Sequence, residues 1–229
     1  MLAVTSKFMN WAEDLDFRKQ NTNPTRGIKK YPTTHRARFL TKTEYQELGK
    51  VIRIEVSKNT NPYSIAAIQL LIYTGARLSE ILELKWKYVD LKQRLISLPD
   101  SKTGRKAIML SKPAFKILKN IPKQKNNPYV ICGKISGQHL VNLQKPWRHI
   151  RKLANLTDVR IHDLRHSFAS VGARQGGSLP AIGTLLGHSQ SQTTDQYAHL
   201  IQKDFVDFND SNDSNDSIGT EISGYLKSS

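Results

Sequence analysis

The sequence is short of the features that would commit it to several large classes of protein. Cys132 is its one cysteine, so no internal disulfide and no cysteine-rich zinc site can form, and a reducing compartment is expected. No stretch is long and apolar enough to cross a bilayer, and residues 1–20 carry Glu13, Asp14 and Asp16, unlike a secretory leader. A cytoplasmic protein with no membrane partner is the expectation. The seven histidines have no cysteine or carboxylate mate at ligand spacing, so no metal is expected. Strands and helices do not alternate as they would around a parallel nucleotide-binding sheet, and no glycine-rich phosphate loop is present.

Acids are scarce too, with 19 Asp and Glu against 35 Lys and Arg. Only Lys203 and Lys227 of the basic residues fall after residue 202, together with six of the acids, which leaves 33 basic against 13 acidic residues before it. The cationic surplus therefore belongs to the folded part. Such a surplus favours a polyanionic partner, and for a chain of this kind nucleic acid is the commonest.

What is present suffices for one domain of good size with accessory segments: 229 residues, 38% of them hydrophobic. Residues 2–18 place Leu2, Val4, Phe8, Trp11, Leu15 and Phe17 at roughly helical spacing, predicting an amphipathic helix. Asn21 to Arg38 is polar and basic, with Pro24, Gly27 and Pro32 and no acid, and reads as an extended linker. Thr41-Lys42-Thr43-Glu44 has the form of a capping box and opens a helix to about Val56. Asn61-Pro62 opens the next, almost wholly apolar and hence central, and Thr74-Gly75 breaks it before a helix whose first turn holds Arg77.

From Trp86 to Leu110 the period shortens to that of strands: Trp86–Val89, Leu95–Leu98 and Lys106–Leu110, the last two joined by a hairpin with Lys102 near its tip. Helices follow over Ala114–Ile121 and over Leu143–Asn155, the latter with Trp147, Ile150 and Leu153 inward. The fold class is thus α+β but mainly α, with a small three-stranded antiparallel sheet. Asn209 to Ser217 repeats Asn-Asp-Ser three times, a polar tract expected to be disordered within a tail of residues 203–229.

The chemistry concentrates between His162 and His199. On a helix, His162 and Arg165 share a face while Leu164, Phe168 and Val171 turn to the core. Leu185-Leu186-Gly187-His188 closes a second short helix at Gly187, and Tyr197 follows a polar, turn-prone run. Two histidines, an arginine and a tyrosine in one segment suggest a site for a negatively charged tetrahedral group.

Thr74-Gly75-Ala76-Arg77-Leu78-Ser79-Glu80, the hairpin Ser101-Lys102-Thr103, His162-x-x-Arg165, Leu186-Gly187-His188 and Tyr197-Ala198-His199 together resemble the tyrosine recombinases, or phage integrase family. The blocks run in the family's order over about residues 38–202. The resemblance implies a helical integrase-type catalytic domain, over residues 39–202, that breaks and rejoins DNA strands through a 3′-phosphotyrosyl link without metal, ATP or other cofactor. It assigns Tyr197 as nucleophile, Arg77 and Arg165 as the clamp on the non-bridging oxygens, His188 as a further donor, His162 as base and Lys102 as the acid for the departing 5′ oxygen.

Double-stranded DNA is the implied substrate, a homo-tetramer the implied synaptic assembly, and the nucleoid the implied place of work. The resemblance also makes residues 1–20 the last helix of a truncated core-binding domain, joined by a linker over residues 21–38 and leaving Phe8, Trp11 and Leu15 in need of cover. A DNA-binding remnant of an integrase that no longer cleaves is the alternative.

Overall fold

The computed structural model describes residues 2–29, 31, 38–58, 60–101, 104–187 and 211–228. The chain divides into two compact units, Met1–Arg36 and Ala37–Ser229.

The first unit is a helix, α1 (Leu2–Asp14), with a strap folded back on it. The helix stops short of the expected residue 18. Asp16 adopts a left-handed φ of 57°, which reverses the chain, and the Arg18 amide returns to the Ala12 carbonyl at 3.1 Å. The strap is not the extended linker read from its composition, at least as far as Gly27. Asn23 is buried and its amide donates to Ser6 O at 3.1 Å and Asn10 Oδ1 at 2.6 Å, while Glu13, also buried, accepts from Arg26 Nη2 at 3.0 Å and the Asn21 amide at 3.3 Å. Polar contacts close this unit. Val4, Phe8 and Trp11 remain exposed, and Phe8 stacks on Trp11 with ring centres 5.8 Å apart.

The second unit is built around α3 (Pro62–Thr74), of whose thirteen residues all but Pro62 and Gln69 are buried. Helices buried on all sides are apolar on all sides, and this one is. Asn61 caps it through bonds from the Tyr63 and Ser64 amides. Around it lie α2 (Lys42–Ser57), opened by the Thr41–Glu44 capping box, α4 (Leu78–Leu82), α5 (Lys112–Asn120), α6 (Gln144–Leu153), α7 (Ile161–Arg174) and α8 (Leu179–Leu186).

Between α4 and α5 the chain makes a meander of three antiparallel strands, β1 (Val89–Asp90), β2 (Leu95–Ser101) and β3 (Gly104–Met109), in the order β1-β2-β3. The register pairs Val89 with Ile96 and Ser97 with Ala107. Strands β2 and β3 lie within three residues of those expected from the change of period, but of the expected strand Trp86–Val89 only Val89 is in β1: Trp86–Tyr88 form a single 3₁₀ turn, closed by the Tyr88 amide on Lys85 O at 3.0 Å.

Two further expectations fail. Leu153 was expected inward with Trp147 and Ile150, which are buried, but it is 49% exposed. Six residues on from Trp147, it lies about 120° around the helix from that side chain and so leaves the buried face. The Asn-Asp-Ser tract, expected to be disordered, enters a helix from Ser211: α9 spans Ser211–Lys227 and belongs to the second unit, which does not end at residue 202. Ile218, Ile222 and Leu226, one helical turn apart, are buried. Three glycines admit α9: a Cβ on Gly49 would lie 2.0 Å from Leu226 O, on Gly219 2.4 Å from Ser111 Cβ, and on Gly172 2.9 Å from Ile218 Cδ1. Arg53 donates to the Leu226 carbonyl, and Asp216 takes the Lys112 amide at 2.8 Å.

Candidate active site

Two helix ends make the floor of the site. Helices α3 and α8 both stop at a glycine in the left-handed conformation, Gly75 with φ 60° and Gly187 with φ 68°. A left-handed residue is cheapest as glycine, and at Gly75 a Cβ would also come within 2.5 Å of Phe168 Cδ1. The last carbonyls of a helix have no partner within it and carry the negative end of its dipole, so they suit cations.

Guanidinium groups take them up. Arg165 Nη1 donates to Gly75 O and its Nη2 to Leu186 O, both at 2.7 Å, and Arg77 Nη2 donates to Gly187 O at 3.0 Å. Because Leu186 and Gly187 are consecutive, their carbonyls bring the two arginines side by side from residues 88 apart in the chain.

Arg77 is fixed again by Glu80, one turn along. Glu80 Oε2 accepts the Arg77 amide at 2.8 Å and Oε1 accepts Arg77 Nη1 at 2.9 Å. A third donor comes from the sheet, where Lys106 Nζ lies 2.8 Å from Glu80 Oε2 with both side chains buried. Burial works to raise the Glu80 pKa, but Lys106 and Arg77 outweigh it and hold the carboxyl below its ordinary value. Burial pushes the Lys106 ammonium down to about 8 in spite of Glu80, with Arg165 and Arg77 adding to the depression.

Helix α7 supplies the imidazoles. Asp163 takes the Arg160 amide at 2.8 Å and so anchors the first turn. His162 stands one turn before Arg165, and its ring meets that of His166 edge to face with centres 4.7 Å apart. One side of His162 meets solvent, but partial burial and the Arg165 charge lower its pKa, and Asp163 does not make up the difference. His166, four residues along the same helix, is driven to about 4 by burial and by His162. Both are neutral imidazoles at neutral pH, and a neutral imidazole can take a proton.

Of the six residues singled out by sequence, the fold thus brings Arg77 and Arg165 together, with His162 one turn away. Lys102, His188 and Tyr197 lie outside the described residues, as does His199. Glu80 and Lys106 received no role from the sequence, although both bind in the cluster. The available signals were slight: an acid three residues after Arg77, and a lysine on the same strand face as Ile108.

Known proteins fit this arrangement. Residues 38–203 match the sequence profile of the phage integrase family. The shufflon-specific DNA recombinase of Escherichia coli is 28% identical over 202 residues, covering 87% of this chain and 50% of that protein. The tyrosine recombinase XerA of Saccharolobus solfataricus is 30% identical over 141 residues, 60% of this chain and 46% of its own. The chain spans about half the length of these curated relatives.

Among solved structures, a XerA recombinase covers 98% of this chain and 75% of its own at TM-score 0.58 and 23% identity. XerH bound to its difH substrate before cleavage covers 86% of this chain and 60% of its own at TM-score 0.63 and 23% identity. These two likenesses are of fold. The match of the family profile to most of the second unit, over the very segment that carries the paired arginines, places the chain in the phage integrase family of tyrosine recombinases.

Proposed function

We propose that the chain is the strand-cleaving part of a site-specific DNA recombinase, which breaks and rejoins DNA through a 3′-phosphotyrosyl intermediate. What supports this most is the pairing of Arg77 and Arg165 on consecutive carbonyls at the C-terminus of α8. Two permanently charged, planar groups held side by side suit the non-bridging oxygens of one phosphodiester.

The remaining steps follow from the chemistry each residue type offers. A phenol has a pKa near ~10 and is a weak nucleophile until its proton is taken. In this reading the Tyr197 oxygen bonds to phosphorus as the bond from phosphorus to the 5′ oxygen breaks. His162, neutral at working pH, takes the phenol proton, and Lys102 gives one to the departing 5′ oxygen. His188 adds a donor to the non-bridging oxygens, where removal of one such donor typically costs ~10²–10³ in rate. The phosphotyrosyl bond conserves the energy of the phosphodiester, so attack by a second 5′ hydroxyl reseals the strand without ATP.

Double-stranded DNA in the nucleoid is the substrate, and a homo-tetramer is the synaptic assembly. Residues 1–20 are read as the helix that closes a core-binding domain, and residues 21–38 as the linker from it.

The test is capture of a denaturant-resistant protein–DNA adduct on nicked duplexes drawn from the source genome, wild type against Tyr197→Phe. An adduct that disappears in the variant is expected, and sequencing the trapped DNA identifies the site. Salt-sensitive DNA binding with no adduct from either protein would replace this reading with that of a non-cleaving DNA-binding remnant.

A further inference from the structure

Lys106 stands where the strand pattern calls for an apolar side chain. In β3 the inward positions are Lys106 and Ile108, and the outward ones are Arg105 and Ala107. An ammonium is strongly disfavoured in such a place unless an opposite charge meets it, and Glu80 does, at 2.8 Å. The stem of the same side chain runs under the end of α8, where a Cβ on Gly187 would lie 3.0 Å from Lys106 Cδ and 3.1 Å from Cε. One lysine therefore joins the sheet, the first turn of α4 and the C-terminus of α8.

We propose that Lys106 is a positioning residue of the strand-cleaving site: through Glu80 its ammonium holds Arg77 in place and leaves the charge of both arginines for the phosphate, while its stem seats Gly187. This rests on the strand-cleavage reading above.

Charge balance gives the reason for the ammonium. Glu80 is the anion and Arg77 and Arg165 are the other cations acting on Lys106. Among the described residues of this cluster, three cations, Lys106 included, against one anion leave two positive charges. A phosphodiester carries one negative charge, and attack by a tyrosine oxygen that has lost its proton raises this to two in the five-coordinate transition state. With Lys106 neutral, Glu80 would spend one arginine, and this cluster would offer that transition state one positive charge fewer.

Lys106 does not itself reach substrate in this scheme, because its side chain is buried and its ammonium is engaged by Glu80. Glu80 is the means by which it acts on Arg77, gripping both the main chain and the guanidinium of that residue.

The experiment uses the full chain and a nicked duplex carrying the site recovered with wild type. Lys106→Met keeps the stem and removes the charge, and adduct formation is expected to slow by about 10²-fold. Glu80→Gln combined with Lys106→Met restores two positive charges and is expected to be faster than Lys106→Met alone. A substrate with sulfur at the bridging 5′ position, whose thiolate leaves without a proton, is expected to rescue Lys102→Ala but not Lys106→Met.

A Lys106→Met variant as fast as wild type, a double variant no faster than Lys106→Met, or rescue of Lys106→Met by sulfur would each overturn the proposal; the last would make Lys106 the proton donor. Should Lys106→Met not fold, the double variant is compared with Glu80→Gln alone, where removal of the ammonium is expected to change the rate by less than about tenfold. A larger loss overturns the proposal. If wild type forms no adduct, the strand-cleavage reading falls instead. The positioning role is then decided without DNA, by nuclear magnetic resonance of the Arg77 guanidinium: its protons are expected to exchange faster in the variant, and unchanged protection overturns it.

Discussion

Helix α1 leaves Val4, Phe8 and Trp11 at 74%, 57% and 50% exposure, whereas α9 sets Ile218, Ile222 and Leu226 at 5% or less. By composition the opposite would be expected, since α1 is rich in large apolar residues and α9 begins in an Asn-Asp-Ser repeat. What separates them is the surface each is offered. Helix α9 meets α2, α3, α5 and α7, with glycines at the points of closest approach. Helix α1 is folded against a polar strap, and its buried residue is Glu13. Apolar content sets what a helix can gain by burial, and the facing surface decides whether it does.

The largest effect expected from this contrast is at Ile222. Truncation to alanine removes a fully buried side chain and leaves a cavity under α9, and the second unit is expected to lose about 2–5 kcal/mol. Urea denaturation of the full chain measures it. A loss under about 1 kcal/mol would mean that α9 adds little to the unit and that the contrast with α1 is one of appearance only.

At Arg165 the effect is on chemistry. Lysine in its place cannot bridge the carbonyls of Gly75 and Leu186, 2.7 Å from either end of the guanidinium fork. Adduct formation is expected to fall by about 10²–10³-fold, equivalent to about 2.7–4 kcal/mol. Wild-type rates in Arg165→Lys would mean that the paired arginines serve only to join α3 and α8.

Gly49→Ala sets two effects of known size against each other. Alanine in a helix interior gains up to about 1 kcal/mol over glycine, but overpacking costs about 1–3 kcal/mol. The new methyl would lie 2.0 Å from the Leu226 carbonyl, a backbone atom that cannot step aside alone, so a net loss of about 1–2 kcal/mol is expected, with faster amide exchange along α9. Stabilisation would show that α9 sits loosely.

The pH dependence belongs to the second unit. His166 has its pKa lowered from 6.5 to about 4, and that of His162 is lowered as well. The unfolded chain binds protons at these residues before the folded one does, so the share of stability they govern is complete above about 6.5 and declines as the pH falls toward 4. His166→Phe is expected to flatten that decline, and an unaltered pH profile would remove His166 from it. If His162 is the base, the rate of adduct formation should also fall on its acid limb below the ordinary histidine value.

How much of this was legible in the sequence depended on whether a residue announces its partner. Arg77, His162 and Arg165 stand in short blocks whose order is itself informative, and the limits of α2, α3 and the sheet followed from a capping box, Asn61-Pro62 and a change of period. Glu80 and Lys106 did not announce each other, because a lysine on the inner face of a strand reads as a surface residue until the acid 26 positions earlier is seen opposite it. In α9 the apolar residues at 218, 222 and 226 carry a clear helical spacing, but the adjoining polar repeat dominated the reading. The end of α1 was hidden for a third reason: Asp16 takes a left-handed conformation to which asparagine and aspartate are only inclined, and the returning strap selects it.

The smallest effect expected is at Trp11, and it bears most directly on the contrast. Trp11→Ser removes ring contacts with Phe8 and Phe17, at centre distances of 5.8 and 6.1 Å, from a side chain already half in water. Such pairs contribute about 0.5–1.5 kcal/mol, and part of that is recovered by replacing an exposed indole with a hydroxyl, so the first unit should change by less than about 1 kcal/mol. Glu13→Ala in the same helix should cost more, about 1–3 kcal/mol, because it deletes the acceptor shared by Arg26 Nη2 and the Asn21 amide. Amide exchange over residues 15–27 compares the two variants, with faster exchange expected for Glu13→Ala than for Trp11→Ser. The reverse order would mean that the aromatic cluster, and not the polar strap, holds this unit together, and that α1 and α9 follow the same rule after all.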